Sequence, residues 1–86
     1  MSWLHVFVGQ QVVADLDAGY LVIGTVAEVG ADHLVFVDAD LHDHSEANST
    51  KEVYTLETRK IGIRANRLRV AVPLHRLVAV SRLEDV

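Results

Sequence analysis

Residues 20–39 read YLVIGTVAEVGADHLVFVDA, and the reading of this stretch decides the fold. Two apolar runs, Tyr20 to Val29 and His33 to Ala39, flank Gly30-Ala31-Asp32. Valine leads in both runs, and branched or aromatic side chains suit a pleated, half-buried surface. A short Gly/Asp segment between such runs is a tight-turn signal, so the stretch reads as an antiparallel strand pair. Gly24 interrupts the first run. A glycine inside a strand marks a bulge or bend, which a small curled sheet requires.

Upstream, Gly9 to Leu16 reads as another strand, joined to Tyr20 by the turn Asp17-Ala18-Gly19. Leu4 and Phe7 before it fit one apolar helical turn. Three strands with short turns form an antiparallel meander. Downstream, Asp40 to Ser49 is polar, acidic and rich in histidine. Ser49-Thr50-Lys51-Glu52 has capping-box form with Ser49 as N-cap. Val53, Leu56, Lys60 and Ile61 then fall near one helical face. Arg59 and Lys60 suit the negative end of a helix dipole, and Gly62 is a stop signal. These signals predict a helix over 50–61, although the Val-Tyr-Thr run at 53–55 favours a strand. Arg67 to Val72 alternates cleanly and predicts a fourth strand, which Pro73 ends. Leu77 to Ser81 reads as a fifth strand, and Leu83 to Val86 as a tail.

The chain of 86 residues is the size of one domain. It has no cysteine, so neither disulfides nor thiolate metal sites are available to it. A core this small leaves packing and oligomerisation as the sources of added stability. No apolar run reaches the length that spans a bilayer, and the N-terminus has no basic segment before its apolar residues; the expectation is a cytoplasmic protein without a membrane partner. The net charge of −4 hides a sharp split. Residues 1–50 hold eight acids and no Lys or Arg, whereas residues 51–86 hold all eight bases and four acids. Either an acidic surface meets a basic one between copies, or the halves neutralise each other within one domain.

The order strand, strand, strand, insert, strand, one-turn link, short strand resembles the small barrel of Sm-like proteins. Gly24 matches the glycine of the family's first motif, Val26, Val29, Leu34 and Phe36 its apolar positions, and Asp32-His33 its turn pair. The second motif, an Arg-Gly pair between strands four and five, is not matched, because that junction reads Val72-Pro73-Leu74-His75. In a shifted register Ile63 to Leu68 lies on the motif with Ala65 in place of glycine, and residues 53–63 become a strand. The first register gives Leu77 to Ser81 a role and is preferred. The resemblance implies a mostly β, five-stranded antiparallel Sm-like/SH3-type barrel over residues 1–86, with a short helix in an insert at 40–66 between strands three and four.

Three clusters are candidate sites. The resemblance implies base binding by Asp32 and His33, an aromatic ring for stacking and a polar group for the base edge; the alternative is an ordinary polar turn. Arg59, Lys60, Arg64, Arg67 and Arg69 crowd into eleven residues and offer forked donors for phosphate, or partners for acids of the same or a neighbouring chain. If extended, Asp38, Asp40, His42, His44 and Glu46 line one side at period two and are weak metal-ligand candidates of zinc or nickel type, against a solvated acidic loop. No serine lies in a nucleophile-elbow context and no glycine-rich phosphate loop is present, so neither catalysis nor a cofactor is expected. Trp3 and Phe7 are expected to plug a barrel end or meet a subunit. The leading expectation is a non-enzymatic Sm-like barrel forming a homo-oligomer, with a ring as its closed form, that binds single-stranded RNA. The alternative is a protein-binding scaffold or adaptor that uses the helix insert.

Overall fold

The computed structural model describes residues 2–45 and 50–86. Five antiparallel strands form one sheet: β1 (Gln11–Leu16), β2 (Tyr20–Val29), β3 (His33–Asp43), β4 (Arg67–Pro73) and β5 (Leu77–Arg82). Their order across the sheet is β4-β3-β2-β1-β5. One α-helix, α1 (Lys51–Ile61), follows β3 in the chain. Short 3₁₀ turns lie at Ser2–Phe7, Asp17–Gly19, Leu74–Arg76 and Leu83–Asp85. The junction between β4 and β5 therefore falls at 74–76, as in the preferred register, and residues 53–61 are helical. The sheet does not close on itself. β4 and β5 are its two edges, because the one-turn link between them is not matched by any β4–β5 pairing. The expected barrel is thus an open, bent sheet.

Three irregularities bend it. Ile23 pairs with Asp40 and Thr25 with Val37, so β3 holds one extra residue opposite Gly24. Asp38 takes up the slack with φ 49°, in the left-handed region. Val26 pairs with Phe36 and Glu28 with Val35, which makes Ala27 the extra residue on β2. On β5, Val78 is extra between Leu77, opposite Leu16, and Ala79, opposite Asp15. Gly24 is required where the strands approach, since a Cβ there would lie 2.8 Å from the Ala39 Cβ and 3.0 Å from its Cα.

Neighbouring residues on a strand point to opposite faces, and here each face holds its own core. Val12, Ala14, Val22, Val26, Leu34, Phe36, Ala39 and Val72 pack on the inner face, closed at one end by Leu4. Phe7 packs partly against this cluster, while Trp3 is exposed, so Leu4 and not Trp3 is the plug. Val13, Leu21, Ile23 and Leu83 pack on the outer face, with Tyr54, Ile63 and Val86 over them. The C-terminal turn is therefore a cover for that face and not a loose tail. The parity change at Asp38 makes two faces possible within β3: Leu34 and Phe36 are inner residues before it, and Ala39 and Leu41 after it.

Helix α1 differs most from its sequence reading. Its N-cap is Thr50, whose hydroxyl accepts from the Val53 N–H at 3.2 Å. Ser49, the expected cap, lies outside the described residues. The stop falls at Gly62, whose N–H donates to the Thr58 carbonyl at 2.9 Å. Val53, Leu56, Lys60 and Ile61, which the periodicity groups near one face, are exposed, and the buried positions are Thr55 and Thr58. The Thr55 hydroxyl donates to the Glu52 carbonyl and the Thr58 hydroxyl to the Tyr54 carbonyl, each at 3.0 Å. With their hydroxyls satisfied on the helix's own backbone, both residues can be buried without an unpaired polar group.

Candidate functional site

The third strand runs on through Asp43, so the stretch that reads as an acidic loop begins as sheet. Beyond the extra residue Asp38, Asp40 and His42 share the outer face, where α1 meets them. Asp38 is exposed and separated from them by the parity change, so the expected period-two row of Asp38, Asp40, His42 and His44 is not formed. Glu46 lies outside the described residues.

What forms instead is a polar and aromatic cluster around Tyr54. The buried Asp40 carboxyl, 3% exposed, accepts from the Tyr54 hydroxyl and, at 3.3 Å, from the Asn66 amide. Asn66 also bridges the Leu41 backbone, accepting from its N–H at 2.9 Å and donating to its carbonyl at 3.0 Å. The His42 ring stacks on Tyr54 at 4.4 Å between centroids with 14° between planes. The buried His44 ring meets Tyr54 edge-on at 5.4 Å and lies 5.2 Å from His42. The Arg64 guanidinium sits 5.5 Å from the centre of the Tyr54 ring. Burial, followed by the hydrogen bond to Asp40 and its negative field, pushes the Tyr54 phenol up to about 12. The acid, the phenol and the amide are directed at one another, and the arrangement fastens α1 and the segment after it to the sheet. Among the described residues no group of three or more histidines, aspartates or glutamates is placed to hold a metal ion. Of this cluster the sequence offered His42, His44 and Asp40; Tyr54 and Asn66 were missed, because nothing local to them signals a partner fourteen or twenty-six residues away.

The turn pair Asp32–His33 joins β2 to β3. The His33 Nδ1 and the Asp32 Oδ1 are 2.8 Å apart, and this hydrogen bond, with the attraction of the imidazole, holds the Asp32 carboxyl below the usual carboxylate range. The His33 ring lies over Gly30, where a Cβ would come within 2.3 Å of it. The Asp32 carbonyl accepts from the Leu74 N–H at 2.8 Å, which ties this turn to the β4–β5 link. Nearby in sequence terms, Asp43 is also lowered, by hydrogen bonds from the Ser45 hydroxyl and backbone.

The basic segment is dispersed over several elements. Arg59 lies on α1 and donates to the Val86 carbonyl, Lys60 is exposed on the same helix, and Arg64 covers Tyr54. Arg67 and Arg69 are two apart on β4, where Arg69 pairs with Glu28 at 2.5 Å and Arg67 donates to the Asn66 carbonyl. His33 pairs with Pro73 at the opposite end of β4 from Arg67, so the turn pair and these arginines are not brought together. The ion pairs Arg69–Glu28 and Arg76–Asp17 connect the basic half of the chain to the acidic half. Both are exposed and contribute little to stability.

The two sheet edges are the other surface of note. Leu68 on β4 is 85% exposed and Val78 on β5 is 70% exposed. A cleft of about 380 Å³ lies beside β4, lined by Val70, Val72 and Pro73 on that strand and by Leu16, Tyr20 and Leu41 across from it. No helix among the described residues is long and apolar enough to cross a membrane. No protein-family model matches the chain, and a search of curated proteins finds no match.

Proposed function

We propose that the protein is a non-enzymatic small β module of Sm-like type that assembles with copies of itself, the β4 edge of one copy pairing with the β5 edge of the next. The carrying observation is the pair of open edges at opposite ends of the sheet, each with an exposed branched apolar residue, Leu68 and Val78. An unpaired edge is a template for another strand. A contact between two different edges is heterologous, so copies related by a fixed rotation close into a ring when that rotation divides a full turn. The apolar cleft beside β4 would receive side chains of the incoming strand. The non-enzymatic part is supported by the Tyr54 cluster, whose acid, phenol and amide are engaged with one another.

The arginines give less support to an RNA ligand, since Arg69 pairs with Glu28, Arg59 with the Val86 carbonyl, and Arg64 with the face of Tyr54. Size-exclusion chromatography with light scattering tests the assembly. The native chain is expected to elute as an oligomer at micromolar concentration and a Leu68→Asp variant as a folded monomer. A native chain that stays at single-chain mass would remove the proposal.

A further inference from the structure

The two faces of the sheet are closed to different degrees. The inner face buries Val12, Val22, Val26, Leu34, Phe36 and Ala39 together, with Leu4 at one end. The outer face buries Val13, Leu21, Ile23 and Leu83, with Tyr54, Ile63 and Val86 only partly buried against them. Among the described residues of α1, Tyr54 alone packs on that apolar cluster. The helix's own buried positions are Thr55 and Thr58, while Val53, Leu56 and Ile61 are exposed. A cleft of about 320 Å³ remains between helix and sheet, lined by Glu52, Thr55 and Leu56 on one side and by Val13, Asp15 and Ser81 on the other. Protein interiors are normally filled to crystal-like density, and side chains that border a gap lose contacts on that side.

We infer that α1, the segment through Ile63 and the C-terminal turn form a cover that leaves the outer face as one unit, while the sheet and the inner core stay folded. The parts of the cover are joined to each other: Arg59 donates to the Val86 carbonyl, and Tyr54, Ile63, Leu83 and Val86 share one cluster. The cover is joined to the sheet by that cluster and by Tyr54, whose hydroxyl donates to Asp40 and whose ring stacks on His42. It ends where Asn66 rejoins β3, its N–H donating to the Ala39 carbonyl at 2.8 Å. The strand pairings β4-β3-β2-β1-β5 lie outside the cover and need not break. A helix of eleven residues is marginal in water on its own, so α1 unwinds once it leaves the sheet. The opening is therefore a local unfolding, of the kind that regions with few buried apolar contacts undergo well below the free energy of global unfolding. It bares Val13 and Ile23, which lie opposite each other on β1 and β2, and Leu21 beside them. The cover thus acts as a gate over an apolar patch in the middle of the sheet. The inference does not depend on pairing of the sheet edges.

The chain lacks cysteine, so one introduced thiol reports on one position. Val22 and Ile23 are neighbours on β2, both fully buried, the first in the inner cluster and the second in the outer. Val22→Cys and Ile23→Cys are made separately, and the global stability of each is measured by chemical denaturation. Their thiols are then labelled with an aromatic disulfide reagent, dilute enough for the rate to follow the population of the open form. Val22→Cys is expected to label at the rate that its own global unfolding allows. Ile23→Cys is expected to label about tenfold or more above the rate set by its own global unfolding. Phe36→Leu, in the inner core, should speed the labelling of Val22→Cys and leave that of Ile23→Cys unchanged, because the inner core stays intact when the cover opens. If Ile23→Cys does not fold, Leu21→Cys, also on the outer face, takes its place. An outer thiol that labels no faster than global unfolding overturns the inference, as does an equal response of both positions to Phe36→Leu.

Discussion

A Gly24→Ala variant is expected to lose about 3 kcal/mol of stability, the upper end for an overpacked site. Gly24 is fully enclosed between β1 and β3, opposite the extra residue of β3. An added Cβ would lie 2.8 Å from the Ala39 Cβ, 3.0 Å from the Ala39 Cα and 3.3 Å from the Val37 carbonyl oxygen. Two of these three neighbours are main-chain atoms, which cannot rotate aside as a flexible side chain would. Relief therefore requires the strands to part where the bulge bends them. Small domains have about 0.05–0.15 kcal/mol of stability per residue, so such a loss removes a large share of the whole. Chemical denaturation at fixed protein concentration measures it, the concentration being held constant because assembly adds to apparent stability. A loss below about 1 kcal/mol would show that β2 and β3 can separate locally at little cost, and the account of the bend would fail.

The second large effect is expected at Asp40. Asp40→Ala leaves the half-buried Tyr54 phenol without its acceptor, which costs about 1–3 kcal/mol, whereas the exposed Asn66 amide keeps the Leu41 carbonyl. The loss expected is about 2 kcal/mol, since Tyr54 retains some access to water. A cycle with Tyr54→Phe separates the pair from its surroundings: if the two groups act as one latch, the double variant should be less destabilised than the sum of the singles by about 1 kcal/mol or more. Additivity would mean that the hydrogen bond contributes nothing of its own. The same latch has an alkaline limit. The folded-state pKa of Tyr54, about 12, is above the ordinary value of 10.0, so the native state holds the phenol proton more tightly than the unfolded chain. Its contribution is complete below pH 10 and is lost as pH rises toward 12. Tyr54→Phe should remove that part of the pH dependence, and an unchanged alkaline limb in the variant would refute the assignment.

The sheet was legible for a physical reason. Its strands are valine-rich runs ended by Gly, Asp and Pro, and both signals are local. Tyr20–Val29 and the turn at 30–32 fall where the spacing puts them. The bend at Gly24 could be anticipated too, because only a missing side chain permits that approach. Closure into a barrel was not legible, since whether β4 reaches β5 depends on accumulated twist and not on any residue. The facing of α1 was not legible, because hydrophobic periodicity assumes that polar residues seek water. Thr55 and Thr58 satisfy their hydroxyls within the helix and so can be buried. The candidate site was half visible: Asp40, His42 and His44 attracted notice as possible ligands, whereas their true neighbours come from α1 and from Asn66, brought in by the fold.

The single additional residue at Asp38 has a consequence for how this chain can change. Upstream of it, the inward positions of β3 are even-numbered; downstream they are odd-numbered. The strand thus carries two reading frames, and Asp38 is the spacer between them. Deleting it would merge the two frames into one plain alternation, keeping Ala39 and Leu41 inside and Asp40 and His42 outside, and would take from the strand the bend that the extra residue provides.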